Sequence, residues 1–166
     1  MIDPLTNFFF ELGMQKKISH CGVKFAGVRN PDTLAEHTSR TAQIGYCLAL
    51  AEKGNPEKIA VMCLMHDIGE IRIGDAHLIA RRYLKTLPAE AKAVMDQTEH
   101  LPKALQAHIR NLWKEFHGQK TNDSHIARDA DLLETMFQAK EYYDCGHKAA
   151  WRWLINGGKH LKTKTA

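Results

Sequence analysis

The sequence predicts an all-α fold, that is, a single globular domain built from helices. Three observations support this prediction. Apolar residues recur at spacings of three and four along most of the chain. Helix-capping residues precede these runs, and no stretch alternates apolar and polar residues for long enough to form a strand. The length of 166 residues suits one domain and is too short for two ordinary ones. We therefore expect one helical domain over residues 1–158 and a basic tail over residues 159–166.

Most of the predicted helices have start or stop signals of their own. The helix that follows Asp32 carries an apolar stripe and stops at Gly54. The next helix begins with the cap Asn55, has proline at its first position and stops at Gly69. The stretch "TNDS" at 121–124 supplies caps for a long helix. In chain order we expect helices over residues 4–15, 32–54, 55–69, 88–100, 102–117, 125–146 and 147–157, with irregular segments over 21–32 and, apart from a short helix, over 70–87.

The composition is typical of a soluble globular protein, and the charge is mildly basic. The hydrophobic fraction of 44% and the charged fraction of 25% exclude disordered and fibrous chains. The formal net charge of +4 suits an anionic ligand but is too small to predict stable nucleic-acid binding. The longest apolar run, Ile59 to Met65, is too short to cross a membrane. Part of the basic excess lies in "KHLKTKTA" at residues 159–166, which we expect to be solvated.

The cysteines and the first residues indicate a cytoplasmic location. The four cysteines, at positions 21, 47, 63 and 145, form no Cys-x-x-Cys pair. Two of them lie within apolar helical runs, so we expect buried free thiols and a reducing compartment. The opening stretch "MIDPLTNFFFELGM" lacks the basic lead-in of a signal peptide.

Three predicted helices each carry a metal-capable side chain on a face that is otherwise apolar. His37 lies on the first of these faces, His66 is followed by Asp67 at the end of the next, and Asp131 interrupts the third. Singly, each has a structural explanation, a core histidine bonded to a carbonyl or an aspartate paired with an arginine. Together they favour a divalent cation, because one ion can offset the burial of two carboxylates and two imidazoles. The face that carries Asp131 should include Ile126, Ala130, Leu133 and Phe137.

Three stretches of the sequence resemble the H…HD…D motif of the HD-domain metal-dependent phosphohydrolases. They are "AEHTSRTA" around His37, "MHDIGEIRIGD" from Met65 to Asp75 and "ARDADLLE" around Asp131. Within that superfamily the sequence is most similar to the 5′-deoxynucleotidases that act on deoxyribonucleoside 5′-monophosphates. The shared features are the Glu after the HD aspartate, the Gly-Asp pair and "QAKEY" after the last aspartate. The resemblance covers roughly residues 29–143.

The resemblance implies an HD-domain helical fold that holds one divalent ion. The implied ligands are His37, His66, Asp67 and Asp131, which leave room for water and a phosphate oxygen. Mn²⁺, Co²⁺, Fe²⁺ or Mg²⁺ would suit this mixed nitrogen and oxygen set better than a closed tetrahedral zinc site. The resemblance casts Glu70 as the catalytic acid or base that orients water and handles its proton.

The substrate contacts implied by the resemblance include one clear match and one departure. Asp75 would accept a hydrogen bond from the 3′-hydroxyl of the sugar, or else it is a turn residue. The 5′-deoxynucleotidases carry an arginine and a tryptophan before their first histidine, and these positions fall at His20 and near Val23. We keep His20, Lys24 and Arg40 as candidates for phosphate binding, although Arg40 could equally anchor its helix through a neighbouring carboxylate.

The sequence therefore favours a hydrolase that removes phosphate from a small phosphomonoester, a deoxyribonucleoside 5′-monophosphate by resemblance. One alternative is an HD-type phosphodiesterase, although the Gly-Tyr-Pro motif of the cyclic-di-GMP enzymes is absent. Another is a non-catalytic metal or nucleotide sensor, against which the presence of both Glu70 and Asp75 argues. The resemblance also suggests a homodimer.

Overall fold

A computed structural model of the protein describes residues 3–166, so the first two residues of the predicted domain lie outside it. Within this range the chain forms helices and loops, and its β-type pairing is limited to an isolated bridge between Ser19 and Thr33. The all-α prediction is confirmed. The α-helices are α1 (Pro4–Leu12), α2 (Leu34–Ala51), α3 (Pro56–Met65), α4 (Glu70–Ile73), α5 (Thr86–Gln97), α6 (Lys103–Gly118), α7 (Asn122–Asp144) and α8 (Trp151–Gly157).

The long helices begin where side chains satisfy their first backbone N–H groups. At α2 the hydroxyl of Thr33 accepts from the amide of Glu36, whose carboxylate accepts from the amide of Thr33. Thr121 and Ser124 form the same reciprocal pair at the start of α7. Asn55 caps α3 through the amide of Lys58. Over the described residues, no helix combines the length and the apolar character needed to cross a membrane.

The helix predicted over 55–69 is shorter in the structure. It ends at Met65, and turns connect it to the short helix α4. Gly69 lies against the backbone of α5, where an added Cβ atom would come within 2.9 Å of the carbonyl oxygen of Glu90. This close approach requires glycine. His66 and Asp67 follow directly after the end of α3.

Two main apolar clusters hold the helices together. One joins α2, α3, α6 and α7, and the other joins α1, α4, α5 and α6. The inward face predicted for α7 is confirmed at Ile126 and Ala130 but is wrong at Phe137, which is half-exposed. Glu134 and Ala139 are the buried residues on either side of this position. The apolar pattern does not predict the buried position of Glu134, because the residue that α7 places against α2 there is polar and bonds His37 and Arg40.

The expectation of buried thiols is half correct. All four cysteines are free, in agreement with the absence of paired spacings. Cys63 is buried between α3 and α7, whereas Cys47 is exposed. On α2 the buried positions around it are Gly45, Leu48 and Ala49, so Cys47 falls on the outer face of the helix.

The basic tail exposes its lysines, Lys159, Lys162 and Lys164, as expected, but its backbone is docked on the domain. The backbone amides of Lys162 and Thr163 donate to the carboxylate of Asp129 on α7, at distances between 2.7 and 3.1 Å. Asp129 is fully buried and forms no ion pair within residues 3–166. A buried carboxylate needs donors, and the tail supplies them. The tail therefore packs on α7 through the backbone of Lys162 and Thr163.

Candidate metal centre

Four polar side chains from three helical segments converge in the interior. His37 comes from α2, His66 and Asp67 follow α3, and Asp131 comes from α7. Nε2 of His37 lies 3.2 Å from Oδ1 of Asp131 and 3.6 Å from Oδ2 of Asp67. Nε2 of His66 lies 3.0 Å from the same oxygen of Asp67 and 3.8 Å from that of Asp131. The structure therefore brings together the four side chains that the sequence analysis proposed as metal ligands.

The hydrogen bonds of both imidazoles leave their Nε2 atoms free to bind a cation. Nδ1 of His66 donates to the carbonyl oxygen of Cys63 at 2.7 Å, and Nδ1 of His37 is bonded to the carboxylate of Glu134. Each Nε2 then carries a lone pair directed toward the aspartate oxygens. Lone pairs and carboxylates at this spacing repel one another unless a positive charge lies between them. The donor set therefore fits a divalent metal ion.

The charges around His37 and Asp131 favour their ionised forms. Burial lowers the pKa of His37, but the carboxylates of Asp131 and Glu134 outweigh it and raise this pKa well above the usual value. Burial opposes ionisation of Asp131 too, yet the hydrogen bond to His37 and the charge of Arg128 hold its pKa below the usual range. A proton and a metal ion thus compete for the same imidazole nitrogen, and metal affinity should fall as the pH falls.

The carboxylate of Glu134 bonds Nδ1 of His37, the ring nitrogen that does not face the aspartates. Glu134 was not predicted from the sequence. It lies on α7, three residues after Asp131, and its side chain is only 1% exposed. One carboxylate oxygen bonds Nδ1 of His37, and the other accepts from Arg40. The signal available in the sequence was an acidic residue one helical turn after Asp131, the aspartate of the third stretch of the motif.

Arg40 holds Glu134 in place. Its Nε and Nη2 atoms lie 3.0 and 2.9 Å from one oxygen of Glu134, and its other bonds go to Gln138 and Glu141. All of these partners belong to α7. Of the two roles that the sequence left open, the structure favours the anchoring of α2 to α7 over contact with a phosphate.

We expect Glu134→Gln to weaken metal affinity by about 10- to 100-fold, because a neutral amide makes His37 a less basic ligand. Glu141→Gln is the matched control, since Glu141 also bonds Arg40 but is largely exposed. Competition with a chromophoric chelator measures both affinities. Equal affinities in the two variants would show that Glu134 does not support the centre.

Glu70 is a buried acid at the start of α4. Burial, together with the nearby charges of Asp67 and Asp75, raises its pKa to about 10. Its oxygen Oε1 lies 3.4 Å from Nη2 of Arg81. Another buried acid, Glu90 on α5, contributes to the same negative environment, and burial and the charge of Asp67 raise its pKa as well. Glu70 therefore holds its proton far more tightly than an exposed glutamate does.

Asp75 is fixed beside Glu70 by the segment that precedes α2. Its Oδ2 accepts from the amide of Cys21 at 2.6 Å, and the thiol of Cys21 lies 3.0 Å from the carbonyl oxygen of Asp75. The preceding residue, Gly74, has φ +80°, which favours glycine at this turn. The predicted contact between Asp75 and a sugar hydroxyl stays a prediction.

His20 lies against the four converging side chains. The centroids of its ring and the ring of His37 are 4.6 Å apart. Its Nδ1 is 3.3 Å from Oδ2 of Asp32, a buried carboxylate that also accepts from the hydroxyl of Tyr142. Sequence reasoning missed both Asp32 and Tyr142, which lie 110 positions apart in the chain. Lys24 is exposed and forms no ion pair within residues 3–166, and its predicted role is untested.

Known proteins match this chain over almost its whole length. The family model described as HD domain matches residues 13–162. The chain is 31% identical over 150 residues to 5′-deoxynucleotidase HDDC2 of Dictyostelium discoideum, covering 85% of this chain and 78% of that protein. A solved structure of a conserved hypothetical protein from Pyrococcus furiosus has a TM-score of 0.79 and 31% identity, with 94% of this chain and 93% of that chain covered.

A second solved structure shares the fold at lower identity. It is a predicted metal-dependent phosphohydrolase from Magnetospirillum magnetotacticum, with a TM-score of 0.67 and 21% identity. The match covers 95% of each chain. The helices that carry the converging histidines and aspartates therefore belong to an architecture that recurs over 93% and 95% of two other chains.

Proposed function

The chain belongs to the HD-domain family, and on that premise we propose that it is a metal-dependent phosphohydrolase that removes the phosphate from a deoxyribonucleoside 5′-monophosphate. The observation that carries the proposal is the convergence of two histidines and two aspartates beside the buried acid Glu70. The substrate class is supported by the name 5′-deoxynucleotidase of the relative from Dictyostelium discoideum.

We propose that His37, His66, Asp67 and Asp131 hold one divalent ion. Two imidazole nitrogens and two carboxylates suit Mn²⁺, Co²⁺, Fe²⁺ or Mg²⁺, and four protein donors do not complete an octahedron. When bound, such an ion supplies Lewis-acid chemistry, which activates water and polarises a phosphoryl group. Glu134 and the carbonyl of Cys63 orient the two imidazoles by bonding their Nδ1 atoms.

Glu70 is the residue proposed to move the proton in the reaction. Hydrolysis breaks the bond between phosphorus and the 5′-oxygen, and the proton lost by the attacking water must reach that oxygen. With its pKa raised by burial, the carboxyl of Glu70 is protonated at neutral pH, so it can donate that proton to the leaving 5′-oxygen and regain one from the water whose oxygen bonds phosphorus. We assign the 3′-hydroxyl of the sugar to Asp75 and the phosphate to His20, with Lys24 as a further candidate contact.

The homodimer, the cytoplasmic location and the absence of stable nucleic-acid binding stay predictions. Light scattering on the purified protein tests the first of them. A mobility shift with duplex DNA at low and high salt tests the third, because non-specific binding weakens steeply with salt.

Phosphate release by the chelator-stripped protein tests the proposed function. The panel contains deoxyribo- and ribonucleoside 5′-monophosphates, sugar phosphates, cyclic dinucleotides and matched phenyl mono- and diesters, with Mn²⁺, Co²⁺ and Mg²⁺ supplied in turn. We expect metal-restored release from deoxynucleotides to exceed release from ribonucleotides by about tenfold or more.

The other outcomes of the panel separate the alternatives. Cleavage of the diesters alone would indicate a phosphodiesterase. Metal binding without turnover of any substrate would indicate a sensor. Release from a different monoester would keep the chemistry and change the substrate.

A further inference from the structure

One arginine connects two carboxylates of the proposed site without contacting the four converging side chains. Arg81 lies in a short 3₁₀ helix, Ala80–Arg82, in the segment between α4 and α5. Its Nη2 is 3.4 Å from Oε1 of Glu70 and 4.0 Å from Oδ1 of Asp75. Its Nε donates to the carbonyl oxygen of Ala76 at 2.6 Å. A single guanidinium thus connects both sides of the turn at Gly74.

The acidic groups around Glu70 and Asp75 favour a cation at this place. Asp67 and Glu90 add to the negative potential at these two carboxyl groups, and each side chain of the pair is less than 10% exposed. The negative potential of these acids holds the guanidinium in place, and Nη2 of Arg81 donates to Oε1 of Glu70, which remains an acceptor when that carboxyl carries its proton. Among the described residues, Arg81 is the one lysine or arginine that forms an ion pair with either Glu70 or Asp75.

The segment that carries Arg81 has few other anchors. Asp75 is bonded to Cys21, and the ring of His77 packs edge-on against Phe25 with centroids 4.8 Å apart. Beyond these contacts the segment is open to solvent, and Leu78 is 79% exposed. Arg81 therefore gives this loop a side-chain contact with α4, at the carboxyl group of Glu70.

We infer that Arg81 is a positioning residue that fixes Glu70 and Asp75 relative to each other. The inference rests on the proposed function, in which Glu70 moves a proton and Asp75 binds the sugar. With their separation fixed, a substrate held by Asp75 presents its 5′-oxygen to Glu70 in one orientation. Misplacement of such groups by about 1 Å can cost on the order of 100-fold in rate.

Comparison of Arg81→Met with Arg82→Met tests the inference. The two arginines are adjacent in the same short helix and both are exposed, but Arg82 forms no ion pair within residues 3–166. Arg81→Met should lower kcat/KM by about 10- to 100-fold, with kcat reduced and KM raised together. Arg82→Met should stay within about twofold of the unmodified protein. Arg81→Lys should recover only part of the loss, because an ammonium cannot span both carboxylates and the carbonyl as a guanidinium does.

Two further measurements separate positioning from a general structural defect. Hydrogen exchange of the backbone amides over residues 75–82 should accelerate in Arg81→Met and not in Arg82→Met, while metal affinity and melting temperature stay unchanged. In an Asp75→Asn background, Arg81→Met should cost less than in the unmodified protein, because part of its effect acts through Asp75.

Equal kinetic effects of Arg81→Met and Arg82→Met would overturn the inference, and so would unchanged exchange over residues 75–82. Full recovery of kcat/KM in Arg81→Lys would also contradict it, since charge alone would then suffice. Failure of the proposed function gives a different result. The unmodified protein would then lack turnover on every monoester, whereas the exchange difference between the two arginine variants would still be observed.

Discussion

Asp67→Ala is expected to abolish metal binding and phosphate release together. Oδ2 of Asp67 lies within 3.6 Å of the Nε2 atoms of both His37 and His66, so it faces both imidazole donors at once. Its loss removes one of the two carboxylates that neutralise a divalent ion. We expect metal affinity and kcat/KM each to fall by about 1000-fold or more. Elemental analysis of the dialysed protein and phosphate release from the substrate panel measure the two effects.

Asp144→Ala is the matched control for this prediction. Asp144 ends α7, the helix that carries Asp131, but it is exposed and pairs with Lys140 at the surface. It should keep full metal content and full activity. Asp67→Asn preserves the size of the side chain and guards against a folding defect in the alanine variant. Metal content equal to that of the unmodified protein in both Asp67 variants would overturn the ligand assignment.

Local signals explain why the helices could be predicted. The caps at Asn55 and at 121–124 act within a few residues, so they can be read without knowledge of the fold. The boundary at Met65 could not be predicted, because the sequence offers its first stop residue only at Gly69. The packing of the tail on Asp129 is likewise a contact between residues more than thirty positions apart.

The difference between local signals and contacts over long sequence distances applies to the site as well. His37, His66 and Asp131 were identified because each is a polar residue on an otherwise apolar helical face. Glu134 and Arg81 lie on faces or loops where charged residues are ordinary, so only the structure shows that they bond buried groups. Side chains that support a site are thus harder to predict than those that form it.

Glu70→Gln is expected to lower activity and to raise stability. The neutral amide cannot transfer a proton, so kcat should fall by about 100- to 10,000-fold while metal is retained. In the chelated protein the pKa of Glu70 is about 10, against 4.5 for an ordinary glutamate. Between these two values the folded protein binds one more proton than the unfolded chain, so stability falls as the pH rises.

Glutamine removes this pH dependence. The stability gain of Glu70→Gln should therefore be small near about pH 5 and should grow to at most about 4 kcal/mol near about pH 7.5. Urea unfolding in the presence of a chelator at both pH values measures the gain. Glu57→Gln is the control, because Glu57 lies exposed in the first turn of α3, and its stability difference should not grow with pH.

The two effects of Glu70→Gln together identify what Glu70 contributes. Substitution of a carboxyl that served only the fold would make the protein less stable. Substitution of a surface carboxyl would change neither activity nor stability. Full activity in Glu70→Gln would overturn its role in proton transfer, and a gain that does not grow with pH would contradict the raised pKa. Opposite signs for activity and stability would show that the acid stays buried for its chemistry, because the fold alone is more stable without it.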